Sequence, residues 1–89
     1  MVEGFLIIAN ISYGKVTNAE RERRQILRTR SFLGEIGAEN IAIGIDENNN
    51  GIIVTGFLPN GINSLDNVDK VLSQLGATKI IHAQGKRRE

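Results

Sequence analysis

Phe5-Leu6-Ile7-Ile8-Ala9-Asn10-Ile11 is the stretch whose reading decides the fold. It is near-continuously apolar, rich in β-branched side chains and entered through Gly4, the pattern of a strand buried on both faces in the middle of a sheet. Downstream of it Ser12-Tyr13-Gly14-Lys15 breaks the apolar run as a loop. Thr17 followed by Glu20 then has the spacing of a capping box, predicting a helix that runs to about Ile36 and stops at Gly37. Ala19 to Gln25 is almost wholly charged, whereas Ile26, Leu27, Leu33 and Ile36 recur at helical spacing and can face a sheet.

Ile41, Ile43 and Ile45 alternate with small residues, predicting a second strand. The polar turn Asp46-Glu47-Asn48-Asn49-Asn50-Gly51 leads into a third, Ile52 to Leu58, so the two form a hairpin. Ser64 caps a shorter helix with Leu65, Val68, Val71, Leu72 and Leu75 as its apolar stripe and Gly76 as its stop. Lys79 to Ala83 is the last predicted strand. The order β-α-β-β-α-β is that of an α+β, ferredoxin-like sandwich, with two helices on one face of an antiparallel four-stranded sheet. Residues 1–85 are read as one domain and 86–89 as a basic tail.

An internal echo supports this order. Leu33-Gly34-Glu35-Ile36-Gly37-Ala38-Glu39-Asn40-Ile41 matches Leu72-Ser73-Gln74-Leu75-Gly76-Ala77-Thr78-Lys79-Ile80 at both leucine-type positions, the Gly-Ala pair and the final isoleucine, 39 residues apart. Gly4 and Gly51, which lead the first and third strands, are 47 apart, so the first half carries a surplus in the Tyr13 to Gln25 region.

Composition narrows the function classes. The 89 residues suit a single core with little room for a large enclosed cofactor, and the absence of cysteine excludes disulfides and thiolate metal sites. Met1-Val2-Glu3-Gly4 carries no basic leader and the first apolar run is too short to cross a bilayer, so the expectation is a soluble, cytoplasmic protein with no membrane partner. A formal net charge of +1 conceals a local asymmetry, because Arg21, Arg23, Arg24, Arg28 and Arg30 crowd one helix. Arg21, Arg24 and Arg28 share a helix face; with Lys86, Arg87 and Arg88 they are the candidate nucleic-acid-binding residues, guanidinium forks being matched to phosphate oxygens. The plain alternative is a solvated helix face, with Glu20 four residues before Arg24 and Glu22 diluting the charge.

Leu6-Ile7-Ile8-Ala9-Asn10-Ile11-Ser12 resembles the first-strand motif of RNA-recognition-motif domains, which share this topology, and Gly51 to Phe57 loosely resembles their third-strand motif. Where that family stacks bases on aromatic rings, this chain has Ile7, Ile52 and Val54, with Asn50 in place of a basic residue and only Phe57 fitting. The resemblance is therefore one of strand chemistry, and sheet-face binding of single-stranded RNA lacks its stacking platform.

The same residues suggest self-association. Two helices cover one face of a four-stranded sheet, yet the first and third strands are apolar on both, so a second copy is the economical cover for the other. Ile7, Ala9, Ile52 and Val54 are the expected oligomer interface of a homodimer or higher assembly. Asp46, Asn48, Asn50 and Gly51 reproduce half a calcium-loop pattern, but Phe57 stands where a bidentate carboxylate belongs, and an ordinary turn is the reading. Ile43 is the repeat-equivalent of His82, which therefore faces the helices or lies wet at the sheet edge. No motif spacing joins a nucleophile to a base, so no catalytic residue, metal site or cofactor is expected. The favoured function is a non-catalytic, nucleic-acid-binding homodimer. Its rivals are a regulatory or assembly domain that meets an acidic protein or small ligand at a dimer interface, and an enzyme whose Tyr13, Asp46 and His82 meet only across subunits.

Overall fold

A computed structural model describes residues 1–14 and 18–88. Its elements run β1 (Val2–Ser12), α1 (Ala19–Glu35), β2 (Glu39–Asp46), a 3-10 turn (Glu47–Asn49), β3 (Gly51–Pro59), α2 (Leu65–Gln74) and β4 (Ala77–Arg87). The strands form one antiparallel sheet in the order β2-β3-β1-β4, consistent with the ferredoxin-like arrangement. β1 is central, as its unbroken apolar run requires: β3 pairs along one edge from Gly4 to Ser12 and β4 along the other from Val2 to Ile11.

Local chemistry sets the helix ends. Asn18 caps α1 by accepting from the Arg21 amide at 2.9 Å; the Thr17 capping box lies outside the described residues. The Ser64 hydroxyl caps α2, accepting from Asn67 N–H at 3.1 Å. Gly37 and Gly76 follow the two helices with φ of +94° and +99°, which side chains rarely adopt, and a Cβ at Gly37 would run into Ile62. The echo between the halves is thus structural: Leu33 and Leu72 are both buried, and Ile41 and Ile80 both pack on the core. The halves diverge at β2, where Asn40 has φ +52° and the register to β3 slips between Glu39 and Ala42.

The core lies between the sheet and the two helices. Ile7, Ala9 and Ile11 of β1 and Ile52, Val54 and Leu58 of β3 meet Leu33 of α1 and Val68, Leu72 and Leu75 in and after α2. Burying each Ile or Leu side chain contributes about 1.5–3 kcal/mol. This corrects the expected oligomer interface, because Ile7, Ala9, Ile52 and Val54 are each no more than 4% exposed beneath the chain's own helices. Alternation shows that two faces exist without saying which one the helices take. They take the side on which β1 and β3 are apolar throughout, since Asn10 and Thr55 break the other.

The basic tail is corrected too. Lys86 and Arg87 belong to β4, opposite Glu3 and Val2 of β1. Among the described residues no helix is long and apolar enough to cross a membrane.

Candidate interaction surfaces

The sheet face away from the helices is built by the even-numbered residues of β1 and their cross-strand neighbours. Ile8 opposes Ile81 of β4 and Thr55 of β3, Leu6 opposes Ala83 and Phe57, and Asn10 opposes Ile53. Leu6, Ile53 and Ile81 are 42%, 40% and 43% exposed, and Ile8 is half-buried. They form an apolar patch across three adjacent strands, interrupted by Thr55 opposite Ile8 and bordered at one end by Asn10 and Lys79.

One end of this face is closed by the chain itself. Phe57 points away from the helices yet is only 6% exposed. Its ring lies against Gly4, where a Cβ would come within 2.7 Å of Phe57 Cζ. Glu39 of β2 stands opposite Phe57 in register, and Arg87 of β4 meets the Glu39 carboxylate at 2.5 Å, without the alignment of a hydrogen bond. This ion pair links the two edge strands across β1 and β3.

The arginines divide by role. Arg21, Arg24 and Arg28 are exposed on α1. Arg24 pairs with Glu20 at 3.1 Å, and the Arg28 guanidinium lies 5.6 Å from the centroid of the half-exposed Phe32 ring one turn on. Arg30 instead donates to the Ile41 carbonyl at 3.1 Å, tying α1 to the edge strand β2. Lys86 approaches Glu3 at 3.8 Å. Because α1 starts beyond the Ser12 end of β1 and β4 finishes beside Val2, Arg21 and Arg24 lie at the opposite end of the sheet from Lys86, Arg87 and Arg88. The two halves of the expected cationic surface therefore do not merge within one chain.

His82 faces the helices. Its Nε2 lies 2.7 Å from Asp69 Oδ1 on α2, an interaction that joins the second helix to the edge strand β4. No motif marks Asp69 in the sequence, but the repeat carries a signal, because a shift of 39 places it on Arg30. Both positions reach from a helix to the edge strand that follows it. Tyr13 and Asp46 line a recess with Glu22, Glu47 and Asn50 at the far end, and His82 is not among its lining residues, so the three do not meet in one chain. The Tyr13 hydroxyl is buried without a hydrogen-bond partner among the described residues, and burial, then the nearby Glu22 charge, raises its pKa above 10.0. Asp46 accepts from Asn49 Nδ2 at 2.8 Å, and Asn50 takes a left-handed conformation, the chemistry of a turn. Among the described residues no cluster of His, Cys, Asp and Glu is placed to hold a metal ion.

Comparison with protein-family models, curated proteins and solved structures gives no match, so the reading of these surfaces rests on their chemistry.

Proposed function

We propose that this chain is a non-catalytic cytoplasmic binding module that pairs with a second copy through the outer sheet face and holds nucleic acid along the arginine face of α1. The observation that carries this reading is the apolar patch of Leu6, Ile8, Ile53 and Ile81, which lies on the face opposite the helices. Pairing through that face leaves Arg21, Arg24 and Arg28 on the outer layers of the assembly, where two copies double the cationic surface. Each phosphate neutralised by these arginines releases counterions, so retention on nucleic acid is expected to fall steeply with salt.

Salt-dependent retention on DNA and RNA, measured for the native protein and for a variant with Arg21, Arg24 and Arg28 changed to Ala, tests the ligand. Retention abolished in the variant supports the reading, and unchanged retention overturns it. A second reading is an assembly or ligand-sensing domain that uses the same apolar face for a protein partner or small ligand. It is favoured by the intrachain pairing of Lys86 with Glu3 and Arg87 with Glu39, which engages the basic residues at the end of β4. Self-association without retention on nucleic acid selects it.

A further inference from the structure

The chain contains two asparagine-glycine steps, Asn50-Gly51 and Asn60-Gly61, and the fold treats them differently. We infer that Asn60 is a site of spontaneous deamidation to aspartate and isoaspartate, while Asn50, with the same chemical neighbour, is protected.

In the reaction the main-chain nitrogen of the glycine loses its proton to solvent and bonds to the asparagine Cγ. The Cγ–Nδ2 bond breaks, ammonia leaves, and a cyclic imide remains. Water then opens the imide at either carbonyl, giving an aspartate or a main chain rerouted through the side-chain carboxyl. No electrons are exchanged with another species. Glycine favours the first step because it has no side chain to obstruct the approach and lets its own peptide rotate. The reacting asparagine must swing its Cγ over the next main-chain nitrogen, so whatever fixes that peptide slows the reaction.

Asn50 is fixed on every side. It sits at φ 48° and ψ 55°, its carbonyl accepts from Tyr13 N–H at 2.9 Å, and Gly51 is already in the sheet between Ser12 of β1 and Asp46 of β2. Gly51 is buried so tightly against the Ile11 carbonyl that even a Cβ would collide with it. Rotating the Asn50–Gly51 peptide therefore requires β3 to leave its neighbours.

Asn60 is held less firmly: its own N–H donates to the Glu3 carbonyl at 2.9 Å, but among the described residues nothing bonds to the peptide between Asn60 and Gly61. Asn60 and Gly61 are exposed, nothing lies within 4 Å of a Cβ built on Gly61, and the turn is closed by a long 3.4 Å bond from Ile62 N–H to the Pro59 carbonyl. Asn63, nearby, is held differently again: its Oδ1 accepts from Ser64 N–H and Asn67 Nδ2, and its Nδ2 donates to the Ile36 carbonyl. Asn60 lines a recess with Glu3, Gln84 and Lys86, so the product carboxylate joins Glu3 beside a single lysine. The isoaspartate form also lengthens the main chain by one methylene between β3 and α2.

Incubating the native chain at mildly alkaline pH and mapping its peptides by mass spectrometry tests this. Conversion at residue 60 is expected to outpace that at residue 50 by roughly tenfold or more, because the latter waits on opening of the sheet. In urea the two rates converge, and Asn60→Gln removes the fast site while leaving Asn50 as it was. Native rates that are equal at the two sites, or faster at residue 50, overturn the assignment. So does an unreacted Asn60 over a period in which the urea-unfolded chain converts at both.

Discussion

Two hydroxyls inside the fold lack a hydrogen-bond partner among the described residues, and both can be read by substitution. Thr29 is fully buried in α1, and its hydroxyl has no hydrogen-bond partner among the described residues. Thr29→Val keeps the shape and removes the unsatisfied group, so it should raise the free energy of unfolding by about 1 kcal/mol, measured by urea titration. Tyr13 is the second. A phenol whose pKa is raised in the folded state binds its proton more tightly there than in the unfolded chain. Its contribution is complete below the ordinary tyrosine pKa of 10.0 and is lost as pH climbs through the higher folded value. Tyr13→Phe should therefore lose less stability than the native protein on passing from neutral to strongly alkaline pH. Parallel pH profiles for the two would dismiss the assignment.

At the scale of elements, the order of strands and helices is legible in the sequence because short apolar runs, continuous or alternating, give way to stripes of helical spacing that end at Gly37 and Gly76. The side of β1 that meets the helices is not, since Leu6 and Ile8 are as apolar as Ile7 and Ile11. Of the interruptions on the outer face only Asn10 lies in β1, and Thr55, which breaks the middle of that face, belongs to another strand. The length of β4 is hidden for a related reason. Gln84, Gly85, Lys86 and Arg87 lie on an edge strand that owes little to burial, so no alternation marks them. The Arg87–Glu39 pair is a contact between opposite edges of the sheet, visible only once all four strands are placed. It gives the end of β4 a measurable role. Truncation after Gly85 removes the pairing with Val2 and Glu3 and the ion pair over the Phe57 end. It should cost about 1–2 kcal/mol in urea unfolding, and unchanged stability would mean that these residues are a dispensable tail after all.

For the whole molecule, adjacent residues of one strand should behave in opposite ways when given a charge. Ile7 is 4% exposed among the core side chains of both helices, so Ile7→Asp places a carboxylate in the apolar core, where its cross-strand neighbour His82 already faces Asp69, and should abolish cooperative folding. Leu6 points to the other face and is 42% exposed, so Leu6→Asp leaves that core intact and the chain should stay folded by circular dichroism. What it changes is the patch shared with Ile8, Ile53 and Ile81. In an isologous pair each substitution enters the interface twice, and two carboxylates desolvated together repel as well as resist burial. Sedimentation equilibrium should therefore show the native chain associating with rising concentration, and Leu6→Asp or Ile53→Asp shifting it to monomer by at least about tenfold in dissociation constant. A native chain that stays monomeric at high concentration removes the paired architecture and the doubled arginine surface with it, while the antiparallel sheet and its helix-covered core stand unaffected.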